Sequence, residues 1–254
     1  MTMQSPLKAK PLRNPGQGQD EELQRIFDDE AFPYFWFPAV LIVLAAVEWL
    51  AYIRDFPRQP VVYTIVAAIA AALGAVRLFQ IRKRVQRLKL GRDGERAVGQ
   101  FLERLRVDGA RIFHDIPGDG FSLDHVVIST HGLFVIETKT WSKRSPDDRA
   151  TFDGTRLLVG GRTPSRDPIR QVRAASDWLG RTLEESTGKR LPVRGVVVFP
   201  GWFVEPMTAD AKRDVWVLEP KALPAFIDRE PRLLSDADVA LAAFHLGRHV
   251  RTAE

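Results

Sequence analysis

The chain has 254 residues, 45% of them hydrophobic and 27% charged, with a formal net charge of +5. It contains no cysteine, which excludes disulfides and thiolate metal sites and fits a reducing compartment. The basic excess suits anionic lipid or nucleic acid and does not choose between them. Apolar residues are concentrated between Phe35 and Ile81. Setting that part aside leaves roughly 160 residues, enough for one domain with its own core.

Residues 1–20, rich in Pro, Gly, Gln and Lys, read as disordered, and 20–31 as a short acidic helix. Two apolar runs follow. The first, 35–53, reads FWFPAVLIVLAAVEWLAYI with one charge, Glu48; the second, 61–78, reads VVYTIVAAIAAALGAVRL with one charge, Arg77. Each is long enough to cross the ~30 Å hydrocarbon core as a helix. The segment between them, RDFPRQP, is polar and holds two prolines, as a tight turn at the far membrane surface should. Tyr34, Trp36, Trp49, Tyr52 and Tyr63 fall near the expected interfaces. A signal peptide fits poorly, because an acidic stretch precedes the first run and a second run follows directly. The soluble alternative is a pair of buried core helices.

Arg77, Arg82, Lys83, Arg84, Arg87, Lys89 and Arg92 follow the second run, whereas the loop has only Arg54 and Arg58. The positive-inside rule therefore places both termini in the cytoplasm, with the chain in the inner membrane. The basic run is positioned to rest on anionic headgroups. Glu48 lies near the outer end of its span, where snorkelling or pairing with Arg54 accounts for it. The expected organisation is a tail (1–31), a transmembrane hairpin (32–81), a basic juxtamembrane linker (82–90) and a domain (91–254).

In the domain, 94–106 reads as a helix, with Val98, Phe101, Leu102 and Leu105 on one face. Strands are expected at 110–116, 122–129 and 133–140, separated by turns at 117–120 and 130–132. A polar loop spans 142–149, and 152–159 reads as another strand. A helix over 168–185 is opened by Asp167 as cap and Pro168 as its first residue. The apolar run 193–199 reads as a central strand and 214–218 as a shorter one. Helices near 221–228 and 236–248 close the chain. A helix, a meander, a helix and further strands describe an α/β domain with a mixed sheet flanked by helices.

Asp124 opens the apolar strand of LDHVVIST, while Glu137 and Lys139 end the next one, GLFVIETKT. Strand alternation points Glu137 and Lys139 to one face and Thr138 to the other. If the two strands pair through the turn at His131, Asp124 joins them. Two carboxylates and an ammonium at one end of a sheet suit metal-assisted phosphodiester hydrolysis. Carboxylate oxygens hold a hard cation such as Mg²⁺, the cation activates water and polarises the phosphoryl group, and the lysine offsets the developing charge. Read by spacing alone, an exposed Glu-x-Lys pair on a strand end is more often a solvated edge.

Five segments in order, GRDGERAVGQFLERL, SLDHVVIST, HGLFVIETKTW, DPIRQ and VRGVVVF, span nearly half the chain. This stretch, from Gly91 to about Phe199, resembles the nuclease-related domain (NERD) family, itself placed in the restriction-endonuclease-like PD-(D/E)xK superfamily. The resemblance implies a restriction-endonuclease-like mixed sheet. By analogy, Asp124 and Glu137 look like metal ligands, Glu95 like the acid that completes or supports the metal site, and Lys139 like the catalytic lysine. Gln171 resembles a glutamine that recurs beside such sites. The implied cofactor is Mg²⁺ or Mn²⁺, and the implied partner is nucleic acid, DNA ahead of RNA.

Other residues carry less. His125 is expected to pack on the face opposite Asp124, and His131 sits in a turn. His245 and His249 have a zinc-compatible spacing but no third ligand. Trp141, Lys143, Arg144 and Arg149 either grip a nucleic-acid backbone or form a solvated loop. Trp178 and Trp216 read as core. The resulting expectation is a membrane-anchored, Mg²⁺-dependent nuclease. Its rivals are a tethered module that binds nucleic acid or protein without catalysis, and a scaffold whose small residues over 67–75 pack against another membrane protein.

Overall fold

The computed structural model of the chain describes residues 12–54, 60–205 and 214–252. The disorder expected at the start and the turn between the apolar runs fall largely on 1–11 and 55–59, outside the described residues. The chain divides into two compact units, Gly18–Lys89 and a larger one formed by Leu90–Glu254 with Met1–Gln17.

The smaller unit contains α1 (Gln17–Arg25), a π-helical turn (Ile26–Ala31), α2 (Phe32–Ile53) and the first part of α3 (Pro60–Leu102). Residues 82–90, expected as a linker, are helical. The sequence RKRVQRLKL holds neither Gly nor Pro and is made mostly of good helix formers, so nothing in it ends the helix. Only 6% and 11% of the two apolar windows are buried. Phe35, Ile53 and Leu73 are among the side chains left open. Helices of a soluble core would have those faces covered. Two long, apolar, uncovered helices fit a hairpin.

Packing inside this unit is specific. Pro38 stands within α2 and has no N–H to offer the carbonyl four residues back, that of Tyr34. Gly74 approaches this carbonyl so closely that a Cβ would lie 2.7 Å from Tyr34 O. Trp49 Nε1 donates to Thr64 Oγ1 at 2.8 Å. A Gly74→Val chain is therefore expected to lose this close approach. Because the chain has no native cysteine, the effect can be read as reduced cross-linking between cysteines placed at 49 and 64.

Along the larger unit come β1 (Arg111–Pro117), β2 (Ser122–Ser129), β3 (Gly132–Thr138), β4 (Arg149–Phe152), β5 (Leu157–Val159), α4 (Pro168–Thr187), β6 (Val193–Val198), β7 (Phe203–Val204), β8 (Val215–Leu218), α5 (Leu223–Arg229) and α6 (Asp236–Thr252). The main sheet has the order β1-β2-β3-β6-β8. Its first three strands form an antiparallel meander, whereas β3–β6 and β6–β8 are parallel. The sheet is thus mixed, as expected. Val126, Ile128, Val135 and Val197 pack with Val172 and Leu179 of α4 and Ala242 and Leu246 of α6 on one side. Val127, Phe134, Ile136 and Val196 pack with Val98 and Leu102 of α3 and Leu223 and Ile227 of α5 on the other. A sheet covered on both faces accounts for the uninterrupted valine run of β6.

One local expectation is corrected. The stretch 152–159 is not one strand but the end of β4, a turn and β5, in a small separate sheet ordered β5-β4-β7. Asp153 Oδ1 accepts from the backbone N of Thr155 and Arg156 at 2.8 and 2.7 Å, and Gly154 has φ 97°, so the chain reverses there. Strand β6 is interior, as expected, paired with β3 on one side and β8 on the other.

Candidate active site

The site forms where β2 and β3 part. Strand β2 stays paired with β1 as far as Pro117↔Ser122. Its pairing with β3 stops at His125↔Ile136. Beyond that rung a backbone ladder no longer fills the space, and Asp124 occupies the fork. Its Oδ2 accepts from the backbone N of Thr138 at 2.7 Å. A side chain thereby satisfies an amide on the neighbouring strand.

Glu137 and Lys139 extend to the same side, as alternation requires, and Lys139 Nζ donates to Glu137 Oε1 at 2.5 Å. Lys139 lies just past β3, yet its backbone N still donates to Val198 O at 2.9 Å, so β6 holds the strand end in place. Burial pushes the Asp124 carboxyl well above the usual carboxylate range, and the negative charges of Glu137 and Glu95 push in the same direction. The Thr138 N–H and the Lys139 ammonium pull the other way. Asp124 thus lies within electrostatic reach of every other charged residue proposed for the site.

Glu95 reaches this region from α3 and is buried. Gly94 permits the approach: a Cβ there would stand 1.7 Å from Thr140 Oγ1. Gly94→Val is expected to push α3 off the strand end and to lower the melting temperature of the chain by several degrees. Gly99→Ser would serve as a same-helix comparison with a different neighbour, Pro15. Gln171 sits in the first turn of α4, which Asp167 caps by accepting from the backbone N of Ile169 and Arg170. The Gln171 Oε1 atom is enclosed and has no hydrogen-bond partner.

Thr138 Oγ1 and Thr140 Oγ1 are also enclosed without partners. Sequence reasoning passed over both hydroxyls. Their flanking of Lys139 in ETKT was visible, but unsatisfied burial is a tertiary property. Such groups are costly unless something not yet counted meets them.

The donor set fits a hard divalent cation. Asp124 and Glu137 offer carboxylate oxygens. Among the described residues, no three His, Cys, Asp or Glu groups are close enough to close a metal centre by themselves.

The remaining residues have other surroundings. His125 is fully buried, with its Nδ1 2.9 Å from His114 Nδ1, so it packs in the sheet. His131 Nδ1 lies 2.6 Å from Glu230 O. His249 Nε2 lies 2.9 Å from Pro117 O, and its ring meets Trp178. Trp178 and Trp216 are core residues. Trp141 is half-buried against Phe199, and its carbonyl accepts from Trp202 Nε1 at 3.0 Å. Lys143 lies over the Trp202 ring, and Arg149 pairs with Glu205 at 2.9 Å. The 142–149 loop is therefore partly engaged within the domain.

No curated protein and no solved structure gave a match to the chain. A family model did: residues 90–200 match that of the nuclease-related domain. The matched stretch takes in Glu95, Asp124, Glu137, Lys139 and Gln171. Residues 90–200 are thus similar to a nuclease-related domain (NERD), and they lie on a mixed sheet flanked by helices.

Proposed function

We propose that this chain is a membrane-anchored nuclease that hydrolyses phosphodiester bonds of nucleic acid in a Mg²⁺- or Mn²⁺-dependent reaction. The observation that carries the reading is the meeting of Asp124, Glu137 and Lys139 at one strand fork, with Lys139 Nζ 2.5 Å from Glu137 Oε1. A bound divalent ion would activate water and offset phosphoryl charge. Asp124 and Glu137 are the residues to hold it, with Glu95 supporting them and the Gln171 amide oxygen available to a ligand or water. Water oxygen forms a bond to phosphorus, the ester P–O bond breaks, and the departing oxygen leaves with a proton. Lys139 donates hydrogen bonds to the phosphoryl oxygen as its negative charge grows.

The two apolar helices serve, in this reading, as the anchor. The excess of positive residues after the second supports a cytoplasmic side for the domain and both termini. The test is cleavage of DNA and RNA substrates by the full chain in detergent micelles, with and without Mg²⁺ or Mn²⁺. Metal-dependent cleavage lost on substitution at Glu137 or Lys139 supports the reading. Salt-sensitive binding without metal-dependent turnover would instead identify a binding module and overturn it.

A further inference from the structure

We infer that Arg13, upstream of both apolar helices, is a positioning residue for the proposed active site, acting through Asp115; the inference rests on the nuclease reading. It starts from a break in the regular strands. On β1, Phe113 and Ile116 both join the core on the α4 and α6 side. On β2, Leu123 and Val126 do the same. Residues three apart on a regular strand face opposite sides, so both strands slip phase at the same level. The rungs His114↔His125 and Ile116↔Leu123 bracket the slip, and Asp115 and Asp124 stand between them.

Asp115 carries the backbone irregularity. Its φ of 48° makes it the one non-glycine residue with positive φ among the described residues. A residue held in that region persists only where its surroundings enforce it. The consequence reaches Asp124. A side chain on a regular strand stands perpendicular to the sheet. That of Asp124 instead turns across the fork to the backbone N of Thr138.

The N-terminal segment supplies the enforcing contact. Arg13 Nε lies 2.9 Å from Asp115 Oδ2, with only 12% and 8% of the two side chains exposed. The next residues seat this strap on α3. Pro15 lies against Gly99, where a Cβ would be 2.5 Å from its ring, and Gly16 (φ 72°) packs on Arg92. Arg92, Glu95 and Gly99 are spaced i, i+3, i+7, so the strap follows the helix face that presents Glu95. A turn in which Gln17 N donates to Asn14 O at 3.1 Å closes the strap before α1.

The experiment compares the full chain in micelles with Arg13→Ala, Asp115→Gly and the double variant. It measures cleavage rate, half-saturating Mg²⁺ and backbone hydrogen exchange over 113–117. Arg13→Ala is expected to cut cleavage by about ten- to a hundredfold, to raise the Mg²⁺ requirement and to speed exchange. Glycine takes a positive φ without an ion pair. The double variant should therefore return to the level of Asp115→Gly alone. Wild-type cleavage by Arg13→Ala, or a double variant no better than Arg13→Ala, overturns the inference. If the wild-type chain does not cleave, the nuclease reading fails by itself. The exchange measurement then decides the strap, with faster exchange in Arg13→Ala supporting it and unchanged exchange sinking it.

Discussion

Lys139→Ala and Glu137→Ala, each in the full chain, are expected to lower metal-dependent cleavage by at least about 10²-fold with the fold intact, the cost of removing one preorganised electrostatic contact. The two losses should differ in kind. Glu137 is proposed as a ligand, so Glu137→Gln should raise the metal concentration needed for half-maximal rate, because a neutral amide holds a hard cation less well. Lys139 is proposed to act on the phosphoryl group, so Lys139→Ala should lower kcat with little change in the metal requirement. Lys139→Arg keeps the charge but spreads it over a planar group of different reach, and should recover only part of the rate. Because Lys139 and Glu137 form one ion pair in the metal-free chain, the double variant should fall no further than the worse single one. Equal cleavage by wild type and variants would remove the mechanism.

The second large effect concerns Asp124 and pH. Burial and two neighbouring carboxylates raise its folded-state pKa. The metal-free folded chain therefore holds the Asp124 proton more tightly than the unfolded chain does. This contribution to stability is complete below the ordinary aspartate range and is lost as pH rises through the raised value, at up to about 1.4 kcal/mol per pH unit. Wild-type chain in EDTA is expected to melt at progressively lower temperature across that window. Asp124→Asn cannot ionise, and its side-chain oxygen can still accept from Thr138 N. That variant should lose the slope and melt above wild type at neutral pH without metal. Added Mg²⁺ should reverse the ranking, stabilising the wild type and leaving the variant unmoved. Parallel melting curves for the two chains, with and without Mg²⁺, would show that Asp124 is neither strained by burial nor a ligand.

Both expectations draw on features that were visible at different levels. The short-range periodicities were readable from residue order. Alternation put Glu137 and Lys139 on one side, and Asp167 followed by Pro168 announced α4. The two apolar runs announced themselves by length and composition. In these cases the physical cause acts over a few neighbouring residues. Where the cause is remote, the reading failed. Residues 82–90 join the second apolar run to the domain, and there charged residues with good propensity continue the helix. Residues 12–16 looked like part of a disordered tail on composition, yet they seat Arg13 on Asp115 and Pro15 on Gly99.

Residue order by itself determined the α/β class and the two apolar helices, because each depends on local periodicity or residue chemistry. Only the tertiary structure decided that β2 and β3 part at Asp124, that burial and like charge act on its carboxyl, and that Gln171 and Thr140 turn enclosed polar atoms without partners. It also decided that a segment preceding the first apolar helix packs against β1. Solvent exclusion and charge proximity are properties of distances in space, and residues far apart along the chain acquire them only when the sheet and its helices close together.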